Sequence, residues 1–342
     1  MSTLTLRFAA FSMRVPRRLV VVNATLFAVL LVVVFAGLLG GTYPIGLQEL
    51  TAVLSGTADP VTYMVVMENR LPRLLTALGV GLAFGMAGEM VQTLLRNPLA
   101  SPDVIGFSAG AGLGAVITVA LTGATGLVLP GALAGGAMTA ALLLALVWNK
   151  CMSPGAIVLV GIGLTVTLGV MTDLMMVRLD ANNVGELVKW IMGSLSARSW
   201  ADTGLVWAGL AVVAPLAAWH QFALTRLTLA DDVATSLGQS IVQGRVITIF
   251  FAVVLVGFGV AAAGPLPFVA FVAGPIAHGL SRAPRPTLLT AALVGALVTL
   301  LADRIAQALP GFLVLPAGIF TALIGAPVLI WVLIAQSRRR RR

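Results

Sequence analysis

The sequence predicts an all-α, polytopic membrane protein of about ten spanning helices, with both termini cytoplasmic. Three observations carry that expectation. Of 342 residues, 59% are hydrophobic and 10% charged, against about 25% charged in a soluble domain, so most of the surface must face lipid. The apolar residues fall in runs close to the roughly 20 residues that cross a hydrocarbon core. The basic residues collect between these runs and at the two chain ends, where they set orientation.

Read by length and flanking breakers, the runs give one membrane domain over 1–342 with spans at 19–39, 71–94, 104–122, 129–148, 155–177, 204–222, 246–263, 264–280, 287–302 and 316–335. The first follows a basic N-terminus, and no small-residue cleavage site succeeds it, so it reads as an uncleaved span. Segment 40–69 reads as an outside loop with a short helix, 178–203 as a mixed polar stretch, and 223–245 as a polar loop. The eighth span is interrupted by Pro265, Pro267 and Pro275 and reads as a broken helix, which neighbouring helices or water can satisfy.

The charge distribution tests the orientation. With the N-terminus inside, 15 of the 21 basic residues lie on inner segments, among them Arg7, Arg14, Arg17, Arg18 and the run Arg338 to Arg342. Dropping the eighth span would put that terminal run outside, against the positive-inside rule. The net charge of +9 therefore reads as topology and anionic lipid contact, not nucleic-acid binding.

Several functional classes lack their residues. Neither a GxxxxGK[ST] loop, a His-Glu-x-x-His helix, a cysteine pair nor a Gly-x-Ser-x-Gly elbow occurs. GAGLGA at 110–115 lies in an apolar helix with no strand before it. Gly81 and Gly85, and Gly106, Gly110 and Gly114, recur every four residues, the spacing of close helix packing in lipid. His220 and His278 lie near span ends and read as interfacial. Cys151 reads as a reduced thiol in a cytoplasmic loop. No catalytic residue, cofactor or metal site is expected. An ion-coupled transporter would want a relay of acids and bases in mid-membrane, and the spans bury only Glu89 and Asp173.

The segment RLPRLLTALGVGLAFGMAGEMVQTLLRNPLASPDVIGFSAGAGLG (70–114) resembles the signature of permease subunits of iron-siderophore and cobalamin ABC importers, the type II importers. KWIMGSLSARSW (189–200), LADDVATSLGQSIVQGR (229–245), GPLPFVAFVAGPIAH (264–278) and LPAGIFTALIGAPVLIWVL (315–333) follow in the family's order. SPDVIGF and ADRIAQ (302–307) are most similar to ferric-enterobactin-type permeases. The resemblance implies a bacterial inner-membrane subunit of ten helices, paired with a second permease (a paralogue or itself). Two ATP-binding subunits would hydrolyse ATP on the inner side, and a substrate-binding protein would dock outside. The implied cargo is a ferric siderophore, with cobalamin or haem as alternatives.

The resemblance also implies roles. Arg70 and Arg73, three apart on one helical face, would dock carboxylates of the binding protein, for which guanidinium forks are suited. A third docking arginine of the family falls at Gln307 here, with Arg304 one turn earlier. Loop 223–245, with Asp231, Asp232, Leu237 and Gly238, would carry the coupling helix that seats on the ATPase. Acids at a helix start suit the macrodipole, and Gly238 can end the helix. Glu89 stands where the family has a small or apolar residue. It either faces the central water-filled path or pairs with a neighbouring helix, and Gln92 shares its face. Gln92 and Asp173 are, with Glu89, the candidates for facing that path, although Asp173, near the outer end of its span, can instead simply reach water. In the eighth span His278 stands where members often have arginine, and the segment reads as structural.

Overall fold

The computed structural model describes residues 3–8, 11–123, 127–148, 152–283, 286–309 and 315–340. Cys151 lies outside these residues. A two-stranded antiparallel ribbon, β1 (Thr3–Phe8) with β2 (Phe11–Pro16), comes first. It is the only β structure among the described residues, and the reading of 1–18 as merely a basic lead did not anticipate it. Beyond it the regular elements of the described residues are all helices.

Helix α1 (Arg17–Leu39) leads to two short helices, α2 (Leu47–Ser55) and α3 (Pro60–Tyr63). The carboxylate of Glu49 accepts the Gly46 amide at 2.7 Å and starts α2. The Asp59 carboxylate accepts the Thr62 amide at 2.9 Å, with Pro60 at the first helical position, where proline's missing N–H costs nothing. The chain then runs through a π-helical stretch, Met64–Arg70, directly into α4 (Leu71–Leu94). The sequence had placed a loop up to residue 69. A wider turn just before Pro72 lets the helix pass a residue that has no donor.

After a 3-10 turn at Pro102–Ile105 come α5 (Phe107–Thr122), α6 (Val128–Trp148) and α7 (Pro154–Met176). Next are α8 (Ala181–Ile191) and α9 (Trp200–Leu227). The six-residue α10 (Asp231–Ser236) precedes α11 (Ile241–Ala263). The last three are α12 (Val269–Ser281), α13 (Leu288–Ala308) and α14 (Ala317–Arg340). Seven of the helices are long and apolar enough to cross a membrane, and α5, α12 and residues 317–332 of α14 are shorter apolar segments. The break in the eighth predicted span falls at Pro265 and Pro267, and Gly264–Phe268 is not helical. Pro275 sits inside α12. At 13 residues α12 rises only about 20 Å, so the irregular segment before it completes its path through the bundle.

Helix α4 is the hub. It is apolar around its whole circumference and buried on nearly every face, as expected of a helix enclosed by others. It packs against α9, α11, α12 and α13. Glycines set the closest approaches. A Cβ at Gly85 would lie 2.2 Å from the Ala291 carbonyl oxygen, and one at Gly88 would lie 1.9 Å from that of Ala270. Gly110 and Gly114 do the same for α5 against Gly131, Gly135 and Thr139 of α6. Gly106 does not belong to that stripe: at φ +90° it forms the turn into α5, a conformation that favours glycine. Helices α1 and α7 leave most of their apolar side chains exposed.

Candidate functional site

Polar side chains gather at three places along α4. At its N-terminal end, Arg73 grips Asp303 of α13. Its Nε donates to both carboxylate oxygens at 3.2 and 3.0 Å, and its Nη2 donates to one of them at 2.7 Å. Asp303 is fully buried, and it also accepts from Gln307 Nε2 at 2.6 Å. Arg304 donates to Gln307 Oε1 at 3.3 Å. Arg70 donates to the carbonyls of Leu38 (2.6 Å) and Tyr43, and so closes the C-terminal end of α1. Asn69, Arg70, Arg73, Arg304 and Gln307 line one cavity of about 110 Å³. The four residues singled out for docking thus converge, although two of them lie more than 230 positions from the others.

The Arg73–Asp303 pair was not foreseen. Asp303 lies one residue beyond the predicted span end, and its only signal was ADRIAQ, which puts Asp303 and Gln307 on one helical face. The pairing distinguishes the two arginines by their partners, for Arg73 is salt-bridged to a buried carboxylate while Arg70 binds backbone carbonyls. Arg198 joins the same end, donating to the Ala262 carbonyl at 3.1 Å and lying 3.9 Å from Asp202.

At the C-terminal end of α4, Asp231 opens α10 but points back into the subunit. Arg96 donates to it at 2.6 Å, and Arg245 Nη2 donates to both its oxygens at 2.9 Å. Arg96 also donates to the carbonyls of Leu227 (3.1 Å) and Leu229. Partial burial alone would raise the Asp231 carboxyl, but the hydrogen bonds and charges of both arginines outweigh it and hold the group below the usual carboxylate range. Asp231 therefore ties the start of α10 to Arg96 and Arg245. Asp232, Val233 and Leu237 are exposed, and Gly238, at φ +77°, ends α10, as its sequence position predicted.

Between these ends, Glu89 is fully buried. Its Oε1 accepts from the Thr287 amide at 2.9 Å and from His278 Nε2 at 2.8 Å. Both of its partners come from neighbouring elements, His278 from α12 and Thr287 from the residue before α13. Gln92 donates to the Phe271 carbonyl at 2.8 Å and borders a cavity of about 250 Å³ shared with Arg96, Asn97, Thr228 and His278. Asp173 is not with them. It is exposed on the surface of α7, because that helix is packed over only a small part of its circumference. No group of three or more metal-ligating side chains occurs among the described residues.

Many apolar helices wrapped around one buried hub, with ion pairs at both hub ends, define a multi-pass membrane protein. The chain belongs to the FecCD transport family, whose sequence model matches residues 29–335. It is 35% identical over 328 residues to the ferric enterobactin transport system permease protein FepG of Escherichia coli (strain K12), covering 95% of this chain and 99% of that one. It is also 35% identical to the Fe(3+) dicitrate transport system permease protein FecD of the same organism, over 80% of this chain and 86% of that one. Among solved structures, an inward-facing metal-chelate type ABC transporter is similar at a TM-score of 0.83 and 25% identity, over 92% of this chain and 99% of that one.

Proposed function

We propose that this chain is the membrane-spanning permease subunit of an ATP-driven importer of ferric siderophores. It has ten spans, with both termini on the cytoplasmic side of a bacterial inner membrane. The observation that carries this reading is the end-to-end identity to a ferric enterobactin permease. The positions of the helices and the inside excess of basic residues support the topology. The subunit makes and breaks no bonds. A second permease subunit completes the path, two ATP-binding subunits do the work from the α10 side, and a substrate-binding protein delivers the chelate to the Arg70 side. Such partners drive transport only by binding the inward- and outward-facing states unequally.

Cells lacking this chain should lose uptake of labelled ferric siderophore and regain it when the chain is restored. Uptake should vanish again when the partner ATPase is inactivated by substitution. Uptake of labelled cobalamin or haem in place of the siderophore would reassign the cargo, and uptake independent of the ATPase would overturn the importer reading.

The two surfaces make separate predictions. Arg304 and Gln307 line the outer cavity, with Arg70 beside them, and none of the three is held as Arg73 is. Arg304→Glu should abolish siderophore uptake with unchanged membrane abundance, and full uptake would remove Arg304 from the docking surface. At the other end the exposed Val233 and Leu237 are the apolar faces of α10 offered to the ATPase. Leu237→Asp should lower transport per ATP hydrolysed, and an unchanged ratio would argue against coupling through α10.

A further inference from the structure

Glu89 has no route to water of its own. It lies in the last third of α4, five residues before Leu94 ends the helix, and is fully buried, and a carboxylate withdrawn from water is costly unless a counter-charge stands beside it. The group beside it is the imidazole of His278, whose Nε2 is 2.8 Å from Oε1. Histidine is the side chain whose charge ordinarily changes near neutrality. The ring is 42% exposed while Glu89 is closed off, and it borders the cavity of about 250 Å³ at the α10 end of the bundle. A proton can therefore reach the pair through His278 and by no other described side chain. The same carboxylate oxygen accepts the Thr287 amide at 2.9 Å, just before α13 begins. Glu89 Oε2 and Thr287 Oγ1 are both buried without a hydrogen-bond partner among the described residues. Room for the carboxylate comes from Gly274, where a Cβ would lie 2.8 Å from Oε2 and 2.0 Å from Gln92 Oε1.

We propose that Glu89 and His278 form a buried proton-binding site that latches α4 to α12 and to the start of α13, and that exchanges its proton through the cavity at the α10 end. With the imidazole charged, the carboxylate is neutralised by a charge-assisted hydrogen bond and holds the Thr287 amide. When the ring gives up its proton, the bond becomes that of a neutral donor and the buried anion loses its counter-charge. Its remaining stabilisation is water, which it meets only by releasing Thr287 and turning toward the cavity. The surrounding charges do not substitute for the proton. Arg96, on the same cavity, is held by Asp231. Arg18 donates to the Leu280 carbonyl at 2.8 Å, and Arg282 is exposed beyond the end of α12. Among the described residues, Thr287 just before α13 and Thr290 on it are neutral, as are Gln221 and Thr228 from the α9 side, while His220 of α9 is hydrogen-bonded to Thr248 at 2.8 Å and Arg226 is exposed.

The test is hydrogen exchange of the Thr287 amide in the assembled transporter in lipid nanodiscs, corrected for the intrinsic pH dependence of exchange. Protection should be about threefold or more greater at about pH 6 than at about pH 9, a span wide enough to carry an imidazole beside a carboxylate through its change of charge. His278→Gln keeps a neutral donor and should flatten that dependence, and Glu89→Gln should give low protection at both pH values. Equal protection of the wild-type amide at both pH values would overturn the proposal. So would a pH dependence that persists in His278→Gln, since it would belong to another group. The wild-type comparison decides the matter even where a variant fails to assemble.

Discussion

Arg73→Ala should cost this protein about 3–5 kcal/mol, the range for removing one partner of a buried ion pair. The reason is what it leaves behind. Asp303 has no exposed surface, and without Arg73 its charge keeps only the Gln307 amide, at 2.6 Å. Asp303→Asn should be milder, because Arg73 is partly exposed and can turn its guanidinium toward water. The double change Arg73→Met with Asp303→Leu should recover most of the loss, because replacing both partners with apolar groups is often neutral or stabilising. Thermal unfolding of the four proteins in detergent checks all of this, and an Arg73→Ala protein as stable as the wild type would refute it. Charge reversal at Arg73 is accordingly a poor probe of docking: it would set two carboxylates together and disturb the fold before any partner arrives.

Valine at Gly85 or Gly88 should prevent the protein from accumulating in the membrane. The first added carbon at Gly85 would sit 2.2 Å from the Ala291 carbonyl oxygen, and at Gly88 it would sit 1.9 Å from that of Ala270. These are backbone atoms, so no side chain can turn aside. Helix α13 or α12 must shift bodily, at a cost above the roughly 1–3 kcal/mol of ordinary overpacking. Gly112 is the control. It is buried midway between Gly110 and Gly114 of the stripe that meets α6, yet a Cβ there has nothing within 4 Å. Gly112→Ala should express normally and gain slightly in helix propensity. Membrane abundance of the three variants is the measurement, and equal abundance of all three would show that the α4 contacts tolerate expansion.

What could be read in advance was what local pattern encodes. Apolar runs marked where helices lie, glycines four apart marked close packing on α4 and α5, and Gly238 marked the end of α10. The pairings were hidden because they join distant positions. Arg73 and Asp303 are 230 residues apart, and nothing in the periodicity of α4 says which turn of α13 it meets. Glu89 showed only as an acid in an apolar run, and His278 only as a lone histidine near a span end. Their hydrogen bond appears when α12 crosses α4. Asp231 was legible as an acid at a helix start, which suits the macrodipole, but the two arginines that hold it come from elements 135 and 14 residues away and left no local signal. The π-helical turn before Pro72 was hidden in segment 40–69, whose polar residues read as an outside loop.

Helix α4 carries all three polar clusters, and this has a mechanical consequence. Its 24 residues span about 36 Å, the full thickness of a bilayer's hydrocarbon layer. Arg73 clasps α13 near one tip, Glu89 is tied to α12 and the root of α13 in the shaft, and Arg96, just past the other tip, holds α10. Enclosed by four neighbours, such a rod is stiff against bending and has no free side on which to slip. A push at the Arg70 tip can then leave only as a tilt, and a tilt of one tip moves the other in the opposite sense. The loop at α10 and the arginines at the far end are tied to the two ends of one helix, with Glu89 nearer the α10 end.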